Sequence, residues 1–190
     1  MSTKYKVHDN ERAYFITITT VGWIDVFTRL EQKENLVNSL RYCQKNKSLE
    51  IFAWCLMPSH LHMICRSGNQ DILLSSIIRD FKKFTSKAII KTIIEKPESR
   101  RDWMLEFFSN ACKHLNRSQK YKVWQDGYHA KEIVKQSFFE EKLDYLHDNP
   151  VNDGIVTSPE DYLYSSARNY AELDSLIEII QITRSLKTIR

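Results

Sequence analysis

The pair His60 and His62, separated by Leu61, offers the most reactive spacing in this chain. In an extended strand, residues i and i+2 face the same way, so both imidazoles converge on one side and Leu61 points to the other. Two neutral imidazoles so placed are half of a divalent-metal site. Two surface histidines on a strand are the plain alternative. Cys65 could turn the pair into a zinc site, but strand parity puts its thiol with Leu61 and Met63, where it reads as a small core residue. No other Cys–His cluster suggests a closed tetrahedral centre.

The second candidate lies in the stretch from Asp144 to Pro150. Phe139, Leu143 and Leu146 recur at i, i+4 and i+7, which predicts a helix with one buried stripe. At about 100° per residue, Tyr145 falls on the flank of that stripe, and Asn149 lies one turn later near the same flank. A phenol and a carboxamide would then face whatever packs beside the helix. A boundary tyrosine and a helix-terminal asparagine are the alternative. Ser137 and Glu140 match a capping box for the start of this helix. Pro150 is expected to end it, because the residue before a proline is pushed away from helical geometry.

A third set is cationic. Arg79, Lys83 and Lys87 recur at i, i+4 and i+8, with Lys82 and Lys91 nearby, and Arg100, Arg101, Arg117, Lys120 and Lys122 follow. They could contact phosphates, while Trp124, Tyr128 and His129 could stack on unpaired bases. A solvated helix face and a core tryptophan are the competing readings.

These candidates need elements to hold them. Residues 14–20 alternate large and β-branched side chains and read as a strand, and 31–47 as a helix. Residues 50–56 are apolar on both faces, the pattern of a central strand, with 60–66 as its hairpin partner. A long helix is expected over 71–94, its core stripe being Ile77, Phe81, Phe84 and Ala88, and another over 103–115. Residues 116–122 read as an exposed loop, 123–124 and 132–134 as short strands, and 151–154 as a turn. Ser158-Pro159-Glu160 opens a short helix or turn, and 176–182 reads as a late strand. Strands mixed with helices at this length predict a single α+β domain: one mainly antiparallel sheet with helices against it, and a C-terminal extension from about 171.

With 190 residues, 42% hydrophobic, the chain can bury a real core, which excludes wholesale disorder. No apolar run reaches membrane-span length. Residues 1–10 are polar, so no secretory signal is expected, and four cysteines without CxxC spacing suggest a reduced, cytoplasmic protein. A net charge of +4 permits an acidic partner without demanding one.

Taken together, Met57-Pro58-Ser59-His60-Leu61-His62 and Asp144-Tyr145-Leu146 with Asn149-Pro150-Val151 and Gly154 resemble the single-tyrosine HUH transposases. Trp124-Gln125 and the segment Asp161-Tyr162-Leu163-Tyr164-Ser165-Ser166-Ala167 are similar to the REP-associated tyrosine transposases of the insertion-sequence-200 type, over about residues 14–170. The resemblance implies a ferredoxin-like fold with the histidine strand near the sheet centre. It implies Tyr145 as nucleophile, His60 and His62 as ligands of Mg²⁺ or Mn²⁺, and Asn149 in the place of a third ligand that is Gln in the insertion-sequence members. The implied activity is single-stranded DNA nicking and joining, for DNA transposition and recombination, at a hairpin flanked by a short guide sequence. The enzyme would be a monomer or homodimer. A catalytically vestigial DNA-binding regulator and a metal-dependent RNA-processing nuclease are the rival functions.

Overall fold

The computed structural model describes residues 12–113 and 119–183. The expected loop at 116–122 is therefore described only from Gln119, and Arg117 lies outside the described residues. Four strands, β1 (Tyr14–Thr19), β2 (Leu49–Leu56), β3 (His60–Ser67) and β4 (His129–Glu132), form one antiparallel sheet in the order β2-β3-β1-β4. Helix α1 (Leu30–Lys47) joins β1 to β2, and α2 (Leu74–Glu95) with α3 (Arg101–Asn110) lies between β3 and β4. That order is the split βαβ arrangement of the ferredoxin-like fold. β3, the histidine strand, sits between two neighbours.

Register assigns the two faces. Thr17 pairs with His62 and Phe15 with Ile64, so Phe15, Thr17, His60 and His62 share one face. Helix α4 (Gln136–Asn152) lies over that face, against β2 and β3. Ile16, Ile18, Leu61 and Met63 point to the other face, where α1 and α2 bury them at 1% exposure or less.

Several expectations change. Residues 49–56 form an edge strand of the sheet, not a central one. The strand reads as buried on both faces because α1 packs on one and α4 on the other, and the chain also returns to cover its outer edge. The Leu56 amide donates to Tyr164 O (2.9 Å), Ser166 donates to Trp54 O (2.8 Å), and Ile180 donates to Ile51 O (2.9 Å). That last bond is the form taken by the expected late strand at 176–182, which bends at Leu176 and Ile177 and makes no ladder. The stripe of α2 runs through Leu74, Ile77, Phe81, Thr85, Ile89 and Ile93, and Phe84 is 64% exposed. Near 123–124 there is a single bridge, Trp124 to Thr20, instead of a strand.

Helix α4 starts at Gln136 behind Lys135, which makes no side-chain cap, so the capping box at Ser137 is not used. Pro150 lies inside the helix, which runs on to Asn152. Its ring is buried there, and packing compensates for the missing amide. The stop comes from Gly154, whose φ of 67° is the left-handed conformation that ends helices. Ser158-Pro159-Glu160 does open a short 3-10 turn, Pro159–Asp161, and α5 (Ala167–Tyr170) follows.

Candidate active site and cationic groove

Strand parity brings the two imidazoles together: their centroids are 4.7 Å apart, nearly perpendicular. Phe15 stacks on His62 at 5.5 Å. Tyr145, from α4, meets His62 edge-on at 5.4 Å and Phe15 at 5.9 Å. Tyr145 is 47% exposed, so a macromolecular substrate can reach it. Lys142, one turn earlier, holds its ammonium 5.5 Å from the Tyr145 ring centre and pairs with Glu141 (2.6 Å).

His62 Nδ1 is 2.9 Å from Thr17 Oγ1, and His60 Nδ1 is 3.1 Å from Ser59 Oγ. If each Nδ1–H donates to its hydroxyl, each Nε2 keeps a lone pair directed elsewhere. Burial, and then His60, pushes the His62 pKa down to about 3. Burial also lowers that of His60, against the pull of Asp153. Both rings are therefore neutral at physiological pH, the protonation state a metal requires.

The donor set passes a stricter test. His62 Nε2 and Asn149 Nδ2 are both buried without a hydrogen-bond partner among the described residues. Buried polar atoms are rarely left so. A half-turn of the Asn149 amide exchanges its nitrogen for oxygen, a donor that suits a hard cation. Two neutral imidazoles and a carboxamide oxygen are donor types that suit Mg²⁺ or Mn²⁺. A zinc cluster does not fit: among the described residues no group of three His, Cys, Asp or Glu side chains could hold a metal, and Cys65 lies on the opposite face of β3.

The basic residues gather elsewhere. A groove of about 1500 Å³ runs between α2 and residues 119–128, lined by Arg79, Lys82, Lys83, Lys87, Lys120 and Lys122 among others. Lys83 and Lys87 are exposed. Arg79 pairs with Asp80 (3.0 Å). Lys82 is drawn inward, donating to the carbonyls of Gln125 (2.7 Å) and Gly127. Trp124 is no stacking platform. It is 3% exposed, stacks on Phe27, and donates its indole N–H to Thr85 Oγ1 (2.9 Å). Tyr128 lines the groove half-buried, and burial beside Cys65 and Tyr14 pushes its phenol up to about 12.

Sequence reasoning missed Phe15, Thr17 and Lys142. Lys142 stands three residues before Tyr145, a helical spacing that could have drawn attention to it. Phe15 and Thr17 depend on the register of β1 against β3, which no local pattern specifies.

A solved structure of a REP-associated tyrosine transposase bound to a REP hairpin superposes with a TM-score of 0.62, covering 100% of both chains at 20% identity. That likeness speaks for the α+β fold. The REP-associated tyrosine transposase of Escherichia coli K12 is 24% identical over 135 residues, which are 71% of this chain and 64% of that protein. The chain thus spans less than two thirds of the length of its curated relative. Residues 13–149 match the family described as Transposase IS200 like. The match begins one residue before β1, takes in both histidines and Tyr145, and ends on Asn149. By that match, over most of its length, this chain belongs to the IS200-like transposase family.

Proposed function

We propose that this protein is a metal-dependent single-stranded DNA endonuclease and strand transferase, acting beside a DNA hairpin through a tyrosine nucleophile. The observation that carries the reading is the meeting of His60, His62 and Tyr145, from a central strand and a helix far apart in sequence, at ring separations of 4.7 and 5.4 Å. A structural tyrosine would not need two neutral imidazoles with an unpartnered nitrogen at its edge.

The chemistry follows from charge. A phosphodiester is anionic and repels nucleophiles. Mg²⁺ or Mn²⁺, held by His60, His62 and Asn149, would neutralise charge developing on the non-bridging oxygen. Tyr145 Oη attacks phosphorus and releases its proton, the bond to the 3′ oxygen breaks, and that oxygen takes up a proton. The products are a 5′-phosphotyrosine and a free 3′-hydroxyl. Because the ester keeps the energy of the cleaved bond, a 3′-hydroxyl can reverse the step and join strands without a nucleotide cofactor. The groove cations, Arg79, Lys83 and Lys87 foremost, would bind phosphates of the hairpin stem. Lys82 and Tyr128 would shape the groove wall.

The test uses a labelled hairpin oligonucleotide with single-stranded flanks, with and without Mn²⁺. Wild type is expected to leave a DNA fragment attached through its 5′ phosphate, mapped to Tyr145 by peptide mass. Tyr145→Phe should bind the hairpin with unchanged affinity and form no adduct. Cleavage without adduct in Tyr145→Phe would make the protein a hydrolytic nuclease. Preference for an RNA hairpin would make it an RNA-processing enzyme. Binding by wild type without any cleavage would leave a DNA-binding regulator.

A further inference from the structure

Trp23 is a large side chain beside the candidate site to which nothing above gives a role. The residue is 61% exposed, yet its backbone is held at φ 56°, a conformation bulky L-residues rarely adopt. The surroundings impose it. The Val21 amide donates to Val123 O (2.8 Å), the Trp23 amide to Thr20 O (3.2 Å), and the Phe27 amide to Pro58 O (2.9 Å). Between them Gly22, at φ 62°, lies against the ring of Phe107, where a Cβ would stand 2.5 Å from Cζ. Such strain persists where a structure fixes one direction for a side chain. The direction here is toward the histidines: Trp23 meets His60 edge-on, centroids 5.4 Å apart at 75°. Beyond Gly22, the exposed rings of Phe107 and Trp103, 6.0 Å apart, continue the aromatic surface.

We propose that Trp23 is a stacking platform for an unpaired nucleobase next to the scissile phosphate, an inference that rests on the single-stranded DNA reading above. A phosphate brought to the His60–His62 site lies beside Trp23, within reach of an exposed indole that can meet the adjacent base. A protein partner seated on Trp23 would instead cover the edge of the site that the phosphodiester must enter. Bases inside a stem are stacked on both faces and have none to offer, so the platform favours an unpaired flank. Since every base has such a face, it orients the strand without reading its sequence.

The probe is a hairpin oligonucleotide with a short single-stranded flank, in a series carrying one abasic residue at successive flank positions. Binding is measured by fluorescence anisotropy with Mn²⁺ in the Tyr145→Phe background, so that the strand stays uncut. Trp23→Gly removes the ring while supplying the residue best suited to a positive φ, so the fold is retained. It should weaken binding about tenfold, and Trp23→Phe should restore most of the loss. One abasic position should cost the Trp23 protein a similar factor and cost Trp23→Gly nothing more. Mn²⁺ affinity should be unchanged in Trp23→Gly. Equal binding by Trp23→Gly, losses that add at every flank position, or an equal loss on a hairpin without a flank would each overturn the platform. So would a self-association that disappears in Trp23→Gly, which would make the aromatic face a contact between copies. Wild-type nicking is scored separately: if wild type neither binds nor nicks DNA, the functional reading falls with the platform. If wild type nicks and Trp23→Gly binds normally, the platform alone falls.

Discussion

A histidine ligates metal through a ring nitrogen without a proton, so whatever fixes the tautomer of His62 decides how it can be used. Thr17 Oγ1, 2.9 Å from Nδ1, is placed to do this. Thr17→Val keeps the branched shape and removes the acceptor. It should lower Mn²⁺ affinity about tenfold, the usual loss when a ligand's outer partner is removed. Metal-free hairpin binding should not change. Calorimetry giving the same Mn²⁺ affinity as wild type would disconnect Thr17 from the site. The contrast between the two residues also shows what the sequence could reveal. His60 and His62 are legible because strand parity is local, and Tyr145 and Asn149 because helical spacing is. Thr17 comes from a strand 45 residues away, and a one-residue slip in register would turn it to the other face.

Helix α2 has one cationic face but two kinds of lysine on it. Lys83 and Lys87 project from the helix, and with Arg79 their spacing announced a phosphate-binding stripe. A triple alanine variant should bind the hairpin more weakly. Each lost phosphate contact should flatten the slope of log affinity against log salt by about 0.7 on single strands and about 0.9 on duplex. A salt slope equal to wild type would leave the stripe merely solvated. Lys82, by contrast, clamps the carbonyls of Gln125 and Gly127, partners that no α2 pattern could supply. Burial, reinforced by Lys122 and opposed by Asp126, lowers its pKa from 10.5 to about 8. Over that interval the unfolded chain holds a proton that the folded one has released, so this residue's contribution to stability rises with pH. Below pH 8 the cost of the buried charge is present in full. Other groups titrate in the same range, and the cysteines pull the other way, so the readout is wild type against Lys82→Met. The stability difference by urea unfolding should move in favour of wild type between pH 8 and 10. A difference that stays flat would mean Lys82 is as well solvated in the folded chain as in the unfolded one.

At the scale of the molecule, the sheet has an exposed-edge problem that the chain itself solves. β2 is an outer strand, and an uncovered outer strand is a template for pairing with other chains. The cover comes from residues 164–166 and from the segment after α5, which folds back over α1 and β2. Arg41 and Gln44 donate to the carbonyls of Leu176 and Glu178 (both 2.8 Å), Ile180 donates to Ile51 O (2.9 Å), and Ile177 is only 1% exposed. The order of strands could not be read from residues 49–56, because an edge strand with a helix on each face is as uniformly apolar as an internal one. A chain ended at Glu172 should therefore do more than lose a tail. Exposing Ile177's site gives up about 1.5–3 kcal/mol of burial, and at about 2–4 °C per kcal/mol for a domain of this size the melting midpoint should fall by several degrees. The bare stretch of β2 should also make the truncated protein aggregate as concentration rises. The candidate site lies across the sheet under α4, and Ser166, which bonds His147 (2.9 Å) and the Trp54 carbonyl, is retained. Mn²⁺ affinity well below the melting midpoint should thus survive the truncation. An unchanged midpoint with no new aggregation would show that residues after 172 are ornament on a fold complete without them. A lost Mn²⁺ site at low temperature would show instead that the segment after α5 positions α4.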